Sequence, residues 1–467
     1  MARPRSLCAV AALALLLGCA AGRLLDPRTA TFPAPAFTPP EPVSRRLSGG
    51  APVFLIEDHD IPLVRVRVGF RGGSLYDPPD RAGLARVAEL AWRTGGAGEL
   101  GPEAFDDALE GRGISLSLSV GRETGTVSLS VLPGELETGL DLLAALVREP
   151  ALRPERVRWA AGQVAERLRR EADDPQTLAF RELRRALYRG HPRGVVPTPE
   201  TVERVGRDDV VRFHRRLVEE GQWAFGVTGD VDPGWVLAAL ESRLGGLPGS
   251  GQGFPPLPPP PEPSPRVVLV PKALPQATLV WARLGPGRLD PAYPALDLLD
   301  HVVGSGGFQS RLTREIRSNR GLAYSVGSFY QGLRGFGVLG AFASTRSEAA
   351  SEVLGLIRET LGQVAASGIS REELERARSA LVNRYVFRYE DPAAAVGEQV
   401  ALALDGLPRD LPLRYVEELR RVDLEEANRV ARSWYDVSRG VVVVVGDVDP
   451  EAAPWKIGVP VEVGISR

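Results

Sequence analysis

The chain has 467 residues, of which 43% are hydrophobic and 25% are charged, and its formal net charge is −2. This length allows two or three domains, and the composition is that of an ordinary globular protein. The near-neutral charge argues against a nucleic-acid-binding surface, which needs a clear excess of Lys and Arg. Both cysteines, Cys8 and Cys19, lie near the N-terminus, so the folded part has neither a disulfide framework nor a cysteine-ligated metal site.

Residues 1–18 have the organisation of a signal peptide. Arg3 and Arg5 form a positively charged start, and the apolar segment Leu7–Leu17 is too short to span a membrane. The run Leu16-Leu17-Gly18-Cys19 resembles the processing box of bacterial lipoproteins, in which the cysteine is lipidated and becomes the mature N-terminus. An ordinary cleaved secretory signal is the alternative.

The residues after this segment predict the location of the chain. A lipidated Cys19 followed by Ala20 favours the outer membrane of a Gram-negative cell over retention in the inner membrane. Residues 19–50 are rich in Pro, Ala and Ser, which predicts an extended tether between the lipid and the folded body. We therefore expect a protein of the bacterial cell envelope, anchored by lipid at the periplasmic face of the outer membrane.

A second Pro-rich segment, residues 251–265, predicts a stiff linker. It divides the folded chain into an N-terminal domain, residues 51–250, and a C-terminal domain, residues 266–463, each of ordinary domain size. The pentapeptide Gly-Asp-Val-Asp-Pro occurs once in each, at 229–233 and 446–450. Each copy follows an apolar strand and is expected to open a helix, with Asp at the N-cap and Pro at the first helical position. The repeat indicates that the two domains are homologous.

The order of predicted elements is also shared by the two domains. Each begins with a strand pair, continues with a helix and an alternating hairpin, and then contains long helices. The predicted elements are strands 53–57 with 63–70 and 267–270 with 277–284, helices 82–93 and 292–303, hairpins 114–120 with 126–132 and 324–331 with 337–343, and long helices that include 154–171 and 371–388. This order predicts an α+β fold in which each domain is an antiparallel-rich sheet covered by helices on one face. We expect the domains to face each other across a cavity.

The first predicted helix carries the run Gly83-Leu-Ala-Arg-Val-Ala-Glu-Leu90. It resembles the signature helix of the pitrilysin/insulinase zinc peptidases, whose pattern is Gly-Leu-Ala-His-x-x-Glu-His. In that pattern the two His bind one Zn²⁺ from one helix face, and the Glu is the general base that activates the zinc-bound water. The resemblance places the ligand positions at Arg86 and Leu90 and the base position at Glu89. The family's third ligand, a Glu from a later helix, corresponds to Arg167, or to Glu166 if the register shifts by one residue.

These replacements imply that the chain binds no zinc. Arg is always protonated and Leu has no donor atom, and a register that uses Glu166 restores only one ligand. Two interpretations of Glu89 stay open: it is a solvated helix residue, or a guanidinium replaces the metal as its counter-charge. The second interpretation predicts that Arg86, Glu89 and Arg167 cluster.

The second domain contains Gly306-Gly-Phe-Gln-Ser-Arg-Leu312, then Arg317 and the run Gly321-Leu-Ala-Tyr324. These runs resemble the C-terminal half of the same family, in which an Arg and a Tyr seven residues apart hold the substrate backbone near the zinc. The resemblance implies that Arg317 and Tyr324 bind substrate as hydrogen-bond donors. The alternative is that Tyr324 is an ordinary strand residue and Arg317 a surface cation.

The loss of the zinc ligands, together with the retained Arg/Tyr pair, implies that this chain and a second subunit contribute different residues to one site. The resemblance, which covers nearly all of residues 51–450, implies the non-catalytic subunit of a heterodimeric zinc endopeptidase, acting on a peptide substrate with a homologous subunit that carries the only zinc. A structural or assembly protein on the same fold is the alternative. An independently active metallopeptidase is a third hypothesis, which requires zinc to bind without the usual ligands.

Overall fold

The computed structural model of the chain describes residues 39–452 and 455–464. They contain two six-stranded sheets. The strands of the first sheet are β1 (Val43–Arg46), β2 (Pro52–Glu57), β3 (Val64–Arg71), β4 (Ser115–Val120), β5 (Thr124–Val131) and β6 (Gln222–Gly229). The strands of the second sheet are β7 (Arg266–Pro271), β8 (Gln276–Gly285), β9 (Ala323–Gly332), β10 (Gly337–Arg346), β11 (Val441–Gly446) and β12 (Val461–Val463).

Helices follow the strands in both halves. Those of the N-terminal half are α1 (Leu84–Thr94), α2 (Pro102–Glu110), α3 (Leu136–Arg148), α4 (Pro154–Glu171), α5 (Pro175–Leu187), α6 (Pro199–Glu203), α7 (Arg207–Glu220) and α8 (Pro233–Leu244). Those of the C-terminal half are α9 (Tyr293–Asp300), α10 (Ala350–Ser367), α11 (Arg371–Arg388), α12 (Pro392–Asp405), α13 (Leu411–Arg421) and α14 (Leu424–Trp434). Wider, π-helical turns span His301–Ser305 and Thr313–Asn319. None of these described helices has the length and apolar character needed to cross a membrane.

The two sheets share one strand order, β1-β2-β6-β3-β5-β4 and β12-β7-β11-β8-β10-β9, and most neighbouring strands are antiparallel. This confirms the predicted α+β class with two related halves. The predicted strand pairs are wrong in one respect, because β6 lies between β2 and β3, and β11 lies between β7 and β8. Nearly every residue of β6 and β11 is buried, as expected of a strand that is covered on both faces and flanked on both sides.

Each sheet packs its own helices against one face and a helix from the other half against its second face. Helix α5 of the N-terminal half packs on β8 and β11 of the second sheet. Its buried Leu178 and Leu183 belong to one apolar cluster with Val441 and Val443 of β11. Helix α12 of the C-terminal half packs on β2, β3 and β6 of the first sheet. The expectation that helices cover one face only therefore omitted this reciprocal exchange.

Two glycines of the first sheet let α12 lie close to it. A Cβ atom on Gly226 of β6 would be 2.4 Å from Cγ1 of Val396, and one on Gly69 of β3 would be 2.7 Å from Cγ1 of Val400. Both distances are shorter than carbon atoms tolerate without movement of the helix or the sheet. The absence of side chains at Gly69 and Gly226 is therefore part of how the halves fit together.

The segments predicted as linker and tether are partly built into the N-terminal half. The segment 251–265 contains no helix or strand. Its Phe254 is buried against the ring of Tyr76, and the Phe254 carbonyl accepts hydrogen bonds from Arg71 Nε (3.0 Å) and the Tyr76 hydroxyl (3.2 Å). The tether prediction is wrong for Val43–Arg46, since these residues form β1 against β2. The predicted signal peptide, Cys19 and the start of the tether lie outside the described residues.

The repeated pentapeptide behaves differently in its two copies. In the first copy, Asp232 Oδ1 accepts a hydrogen bond from the Trp235 N–H (2.6 Å) and caps α8, as predicted. In the second copy, Asp449 Oδ1 accepts one from the Glu451 N–H (3.0 Å). The residues from Pro450 to position 452 form a turn, and no helix begins among them. The repeat thus extends over the strand and the turn, and the predicted second helix is wrong for these described residues.

The close packing of α12 predicts the effect of adding one carbon atom to the sheet. Gly226→Ala should lower the free energy of unfolding by about 1–3 kcal/mol, because the new methyl group overlaps Val396. The measurement is urea-induced unfolding followed by circular dichroism. The matched control is Gly162→Ala on α4, where a Cβ meets nothing within 4 Å. Alanine there should stabilise the helix by about 0.5–1 kcal/mol. Equal stability of Gly226→Ala and the wild type would contradict the close approach of α12.

Candidate functional site

The start of α1 is fixed by the side chain of Asp77. Its two carboxylate oxygens accept hydrogen bonds from the Gly83 N–H (2.9 Å) and the Ala85 N–H (3.1 Å). These are N–H groups of the first helical turn, which have no partner within the helix. Gly83 has φ +101°, and a Cβ there would lie 2.5 Å from Cγ2 of Val202. Asp77 and Gly83 therefore fix the backbone conformation at the start of the helix that carries Arg86 and Glu89.

Glu89 lies on α1, half-buried, and faces the edge strand β4. Its Oε2 accepts a hydrogen bond from the Val120 N–H, the last residue of β4, at 3.0 Å. Burial raises the pKa of Glu89, whereas the Val120 N–H and the charges of Arg167 and Arg86 lower it. The structure thus brings Arg86, Glu89 and Arg167 into one electrostatic neighbourhood, but the hydrogen bond to Glu89 comes from the backbone and not from a guanidinium.

The other positions of the motif have separate partners. Arg86 forms an ion pair with Glu171 at the end of α4, with Nη1 and Oε2 3.7 Å apart. Leu90 is partly buried against the hydrophobic core. Arg167 is exposed and makes no ion pair with the described residues. Glu166, the position in the shifted register, is exposed and pairs with Arg169 at 3.5 Å.

The same arrangement of a carboxylate and an edge strand occurs in the second half. Asp300, the last residue of α9, accepts a hydrogen bond from the Ser328 hydroxyl on the edge strand β9 at 2.6 Å. Helix α9 occupies in its half the place that α1 occupies in the first. In both halves, an acidic residue therefore ties the first helix to the edge strand. This parallel favours a structural role for Glu89.

The residues present do not fit zinc. A zinc site needs three or four His, Cys, Asp or Glu ligands that converge on one point. In the described ranges, 39–452 and 455–464, no group of three such side chains could hold a metal ion. The three positions that correspond to ligands carry two guanidinium groups and an isobutyl group, none of which has a free lone pair.

The second predicted pair is assembled on the surface of the C-terminal half. The Arg317 guanidinium carbon lies 4.4 Å from the ring centroid of Tyr324 and 4.9 Å from that of Phe308. The Tyr324 side chain is 82% exposed and that of Phe308 is 70% exposed. Such cation–π contacts orient a guanidinium through its faces and leave its N–H edge available. In the described part of the chain, Arg317 makes no hydrogen bond or ion pair that would occupy this edge.

Sequence reasoning missed the partners that hold these residues. Phe308 was visible in the run 306–312, but its contact with Arg317 depends on the fold of the loop. Glu171 and the Val120 N–H belong to segments that are distant from α1 in sequence. No local sequence pattern could therefore predict their contacts with α1. Asp77 does carry a local signal, because an acidic residue shortly before a helix suits its N-terminus. The structure shows no hydrogen bond, ion pair or ring contact between the groups around Glu89 and Arg317 in the residues it describes.

Comparison with known proteins agrees with this arrangement. Residues 52–195 match the family described as Insulinase (Peptidase family M16), and residues 204–381 match the Peptidase M16 inactive domain. The chain belongs to the insulinase (M16) peptidase family. The match to the inactive-domain description falls on the segment that contains Arg317 and Tyr324.

Several curated relatives of this M16 chain are similar over much of its length. The non-peptidase homolog YmxG of Helicobacter pylori is 23% identical, over 85% of this chain and 92% of that protein. An uncharacterized zinc protease of Mycobacterium tuberculosis is 27% identical, over 72% of this chain and 78% of that protein. An uncharacterized zinc protease of Streptomyces coelicolor is 26% identical, over 62% of this chain and 65% of the relative, slightly less than two thirds of its length.

Solved structures share the fold of this M16 chain. A peptidase M16 inactive domain from Pseudomonas fluorescens superposes with a TM-score of 0.80 at 23% identity, covering 87% of this chain and 98% of that one. A protease from Helicobacter pylori superposes with a TM-score of 0.76 at 18% identity, covering 87% of this chain and 100% of that one. At these identities the likeness establishes the common fold.

The buried carboxyl of Asp77 predicts a pH dependence of stability. Burial raises the pKa of Asp77 to about 7, against the opposing effect of the Gly83 and Ala85 N–H groups, whereas an unfolded Asp titrates near about 3.9. Between these two pH values the folded state therefore binds more protons than the unfolded state. The stabilisation that the folded state gains from Asp77 is fully present below about pH 4 and is lost as the pH rises through about 7. The wild type should exceed Asp77→Asn in free energy of unfolding by more at pH 5 than at pH 8. Urea titrations at both values measure this, and parallel behaviour of the two proteins would contradict it.

Proposed function

We propose that this chain is the non-catalytic subunit of a heterodimeric zinc endopeptidase and supplies Arg317 and Tyr324 to the substrate of an active partner. The proposal is carried by the contact of the half-buried Arg317 with the exposed Tyr324, together with the degenerate metal positions. The pair is of no use for hydrolysis to a chain that has no metal of its own. The Arg/Tyr pair can contribute to hydrolysis only in a complex in which a homologous subunit provides the zinc centre.

The chemistry of the pair suits the proposed role. The hydrolysis of a peptide develops negative charge on the scissile carbonyl oxygen, and hydrogen-bond donors aimed at that position stabilise the transition state. Arg317 offers a planar fork of N–H groups, and the Tyr324 hydroxyl offers one more donor. The contacts of the guanidinium with the rings of Phe308 and Tyr324 restrict its orientation, so less conformational entropy is lost when substrate binds.

We also propose a cellular location for the complex. A lipid on Cys19 would hold the complex at the periplasmic face of the outer membrane, with the residues before β1 as the tether. The support for this part is the sequence of residues 1–42, with its charged start, short apolar segment and Gly18-Cys19 pair. Peptides in the cell envelope would then be the substrates within reach.

The test is complementation with the homologous zinc-bearing subunit, followed by hydrolysis of a quenched fluorescent peptide. Arg317→Ala and Tyr324→Phe should each reduce the rate by roughly a hundredfold, because each removes one donor to the developing charge. Both complexes should still assemble, as judged by size-exclusion chromatography. The matched control is Arg421→Ala on α13, an exposed arginine paired only with Glu417 on its own helix, which should keep the full rate.

The alternative makes the opposite prediction. If the chain serves only as a scaffold or assembly protein, both site variants support full hydrolysis whenever the complex forms. That result would refute the proposed contribution to substrate binding.

A further inference from the structure

Two largely buried arginines line a cavity of about 480 Å³ between the halves. Arg122 lies in the turn between β4 and β5, and Arg184 lies on α5. Strand β9 of the second sheet forms another part of the same wall, through Phe329 and Gln331. The cavity is therefore bounded by the edge of the first sheet, the exchanged helix and the second sheet.

Neither of these arginines has a carboxylate partner within the described ranges. Arg122 donates from Nη2 to the Arg193 carbonyl (2.6 Å), and its buried Nε has no hydrogen-bond acceptor. The side chain of Arg184 makes no hydrogen bond or ion pair with the described residues. The cavity also contains two carboxylates, which are engaged by other arginines: Glu123 pairs with Arg193, and Asp405 lies 3.9 Å from Arg71. Glu171, which is close to Arg184 in charge interaction, pairs with Arg86.

Each of the two guanidinium groups also lies near another positive charge. Burial and the charge of Arg184 lower the pKa of Arg122 to about 10. Burial and the charge of Arg86 lower the pKa of Arg184. Both side chains nevertheless remain protonated at neutral pH. Withdrawing two like charges from water is costly. The charges of Glu123 and Glu171 offset part of this cost without forming an ion pair with either guanidinium among the described residues, and a bound anion would compensate both arginines directly.

The remaining wall of the cavity has a polar part, formed by Glu123, Thr124, Arg193, Gln331 and Asp405, and an apolar part. Phe180, Leu187, Phe329 and Leu333 form the apolar part, together with the ring of Tyr188. The volume of 480 Å³ lies within the roughly 300–1,000 Å³ typical of ligand pockets. The matching ligand has an anionic head for the arginines and an apolar body for the aromatic and aliphatic side chains.

We infer that this cavity binds the C-terminal carboxylate of a peptide whose last residue is apolar, with Arg122 and Arg184 as the anion-binding residues. A carboxylate accepts paired hydrogen bonds from the planar guanidinium fork. An internal Asp or Glu side chain carries a carboxylate but no apolar body, whereas a terminal apolar residue offers both. The inference rests on the proposed function only for the peptide nature of the ligand.

The experiment compares two labelled peptides that end in Phe, one with a free carboxylate and one with a C-terminal amide. Their binding to the purified chain alone is measured by fluorescence anisotropy. The free acid should bind at least about tenfold more tightly than the amide, because only the acid offers a charge to the guanidinium groups. Arg184→Gln and Arg122→Gln should each reduce this preference, and the matched control Arg158→Gln, at an exposed position of α4, should keep it.

Equal binding of acid and amide to the wild type would overturn the inference, and this comparison requires no variant to fold. A preference that survives both Arg122→Gln and Arg184→Gln, in variants with the wild-type circular dichroism spectrum, would overturn it as well. Dodecanoate and inorganic phosphate are added as competitors. Displacement of the peptide by either one at a lower concentration than unlabelled peptide requires would assign the site to a lipid or a phosphate and refute the peptide assignment.

The outcome of this experiment is independent of the outcome of the test of the proposed function. It needs no partner and no hydrolysis, because its readout is the binding of a peptide to the purified chain alone. Loss of acid preference would leave the role of Arg317 and Tyr324 untouched, and full hydrolysis by Arg317→Ala would leave the carboxylate site untouched.

Discussion

The exchange of helices between the two halves is the packing interaction on which the other features depend. Helix α5 lies on the second sheet and α12 on the first, so each sheet buries its second face only in the presence of the other half. Leu178, Leu183 and Leu187 of α5 are buried by this contact, and a fully buried leucine contributes about 1.5–3 kcal/mol. Separated halves would expose both apolar faces, and the described chain from residue 39 onward therefore forms one compact unit.

The same exchange sets the surroundings of the degenerate metal positions. Helix α4 ends at Glu171, the partner of Arg86, and α5 begins a few residues later and carries Arg184 into the space between the halves. The charge of Arg86 is compensated by a carboxylate, and Glu89 is compensated largely by the Val120 N–H. At the positions that correspond to the family's zinc site, the described residues form a local ion pair and a helix-to-strand hydrogen bond.

Local patterns in the sequence predicted the elements well. Alternating apolar residues predicted the strands of both hairpins to within a few residues, and the bounds of the long helices 154–171 and 371–388 agree with the structure. The motif helix and the Arg/Tyr segment could be located because the resemblance is carried by contiguous residues. The structure then showed that Arg317 and Tyr324 are in contact, which their spacing alone leaves open.

Most of the features that sequence reasoning missed are long-range. The insertion of β6 and β11 into the sheets and the exchange of α5 and α12 depend on packing between distant segments. The pairing of β1 with β2 is a local hairpin that the Pro-rich composition of residues 19–50 obscured. Gly69 and Gly226 look like weak points of their strands until α12 is seen to lie against them. Likewise, nothing next to Arg122 or Arg184 in sequence shows that each lacks a carboxylate partner, because that depends on how the available acids are shared.

The zinc content of the purified protein tests most directly whether this chain has lost the zinc site of its family. After incubation with zinc and dialysis at neutral pH, inductively coupled plasma mass spectrometry should find well below about one zinc per chain. The combined variant Arg86→His, Leu90→His and Arg167→Glu, which restores the family's ligand types, serves as the positive control and should retain roughly one zinc. Stoichiometric zinc in the wild type that disappears in Glu89→Ala would contradict the account.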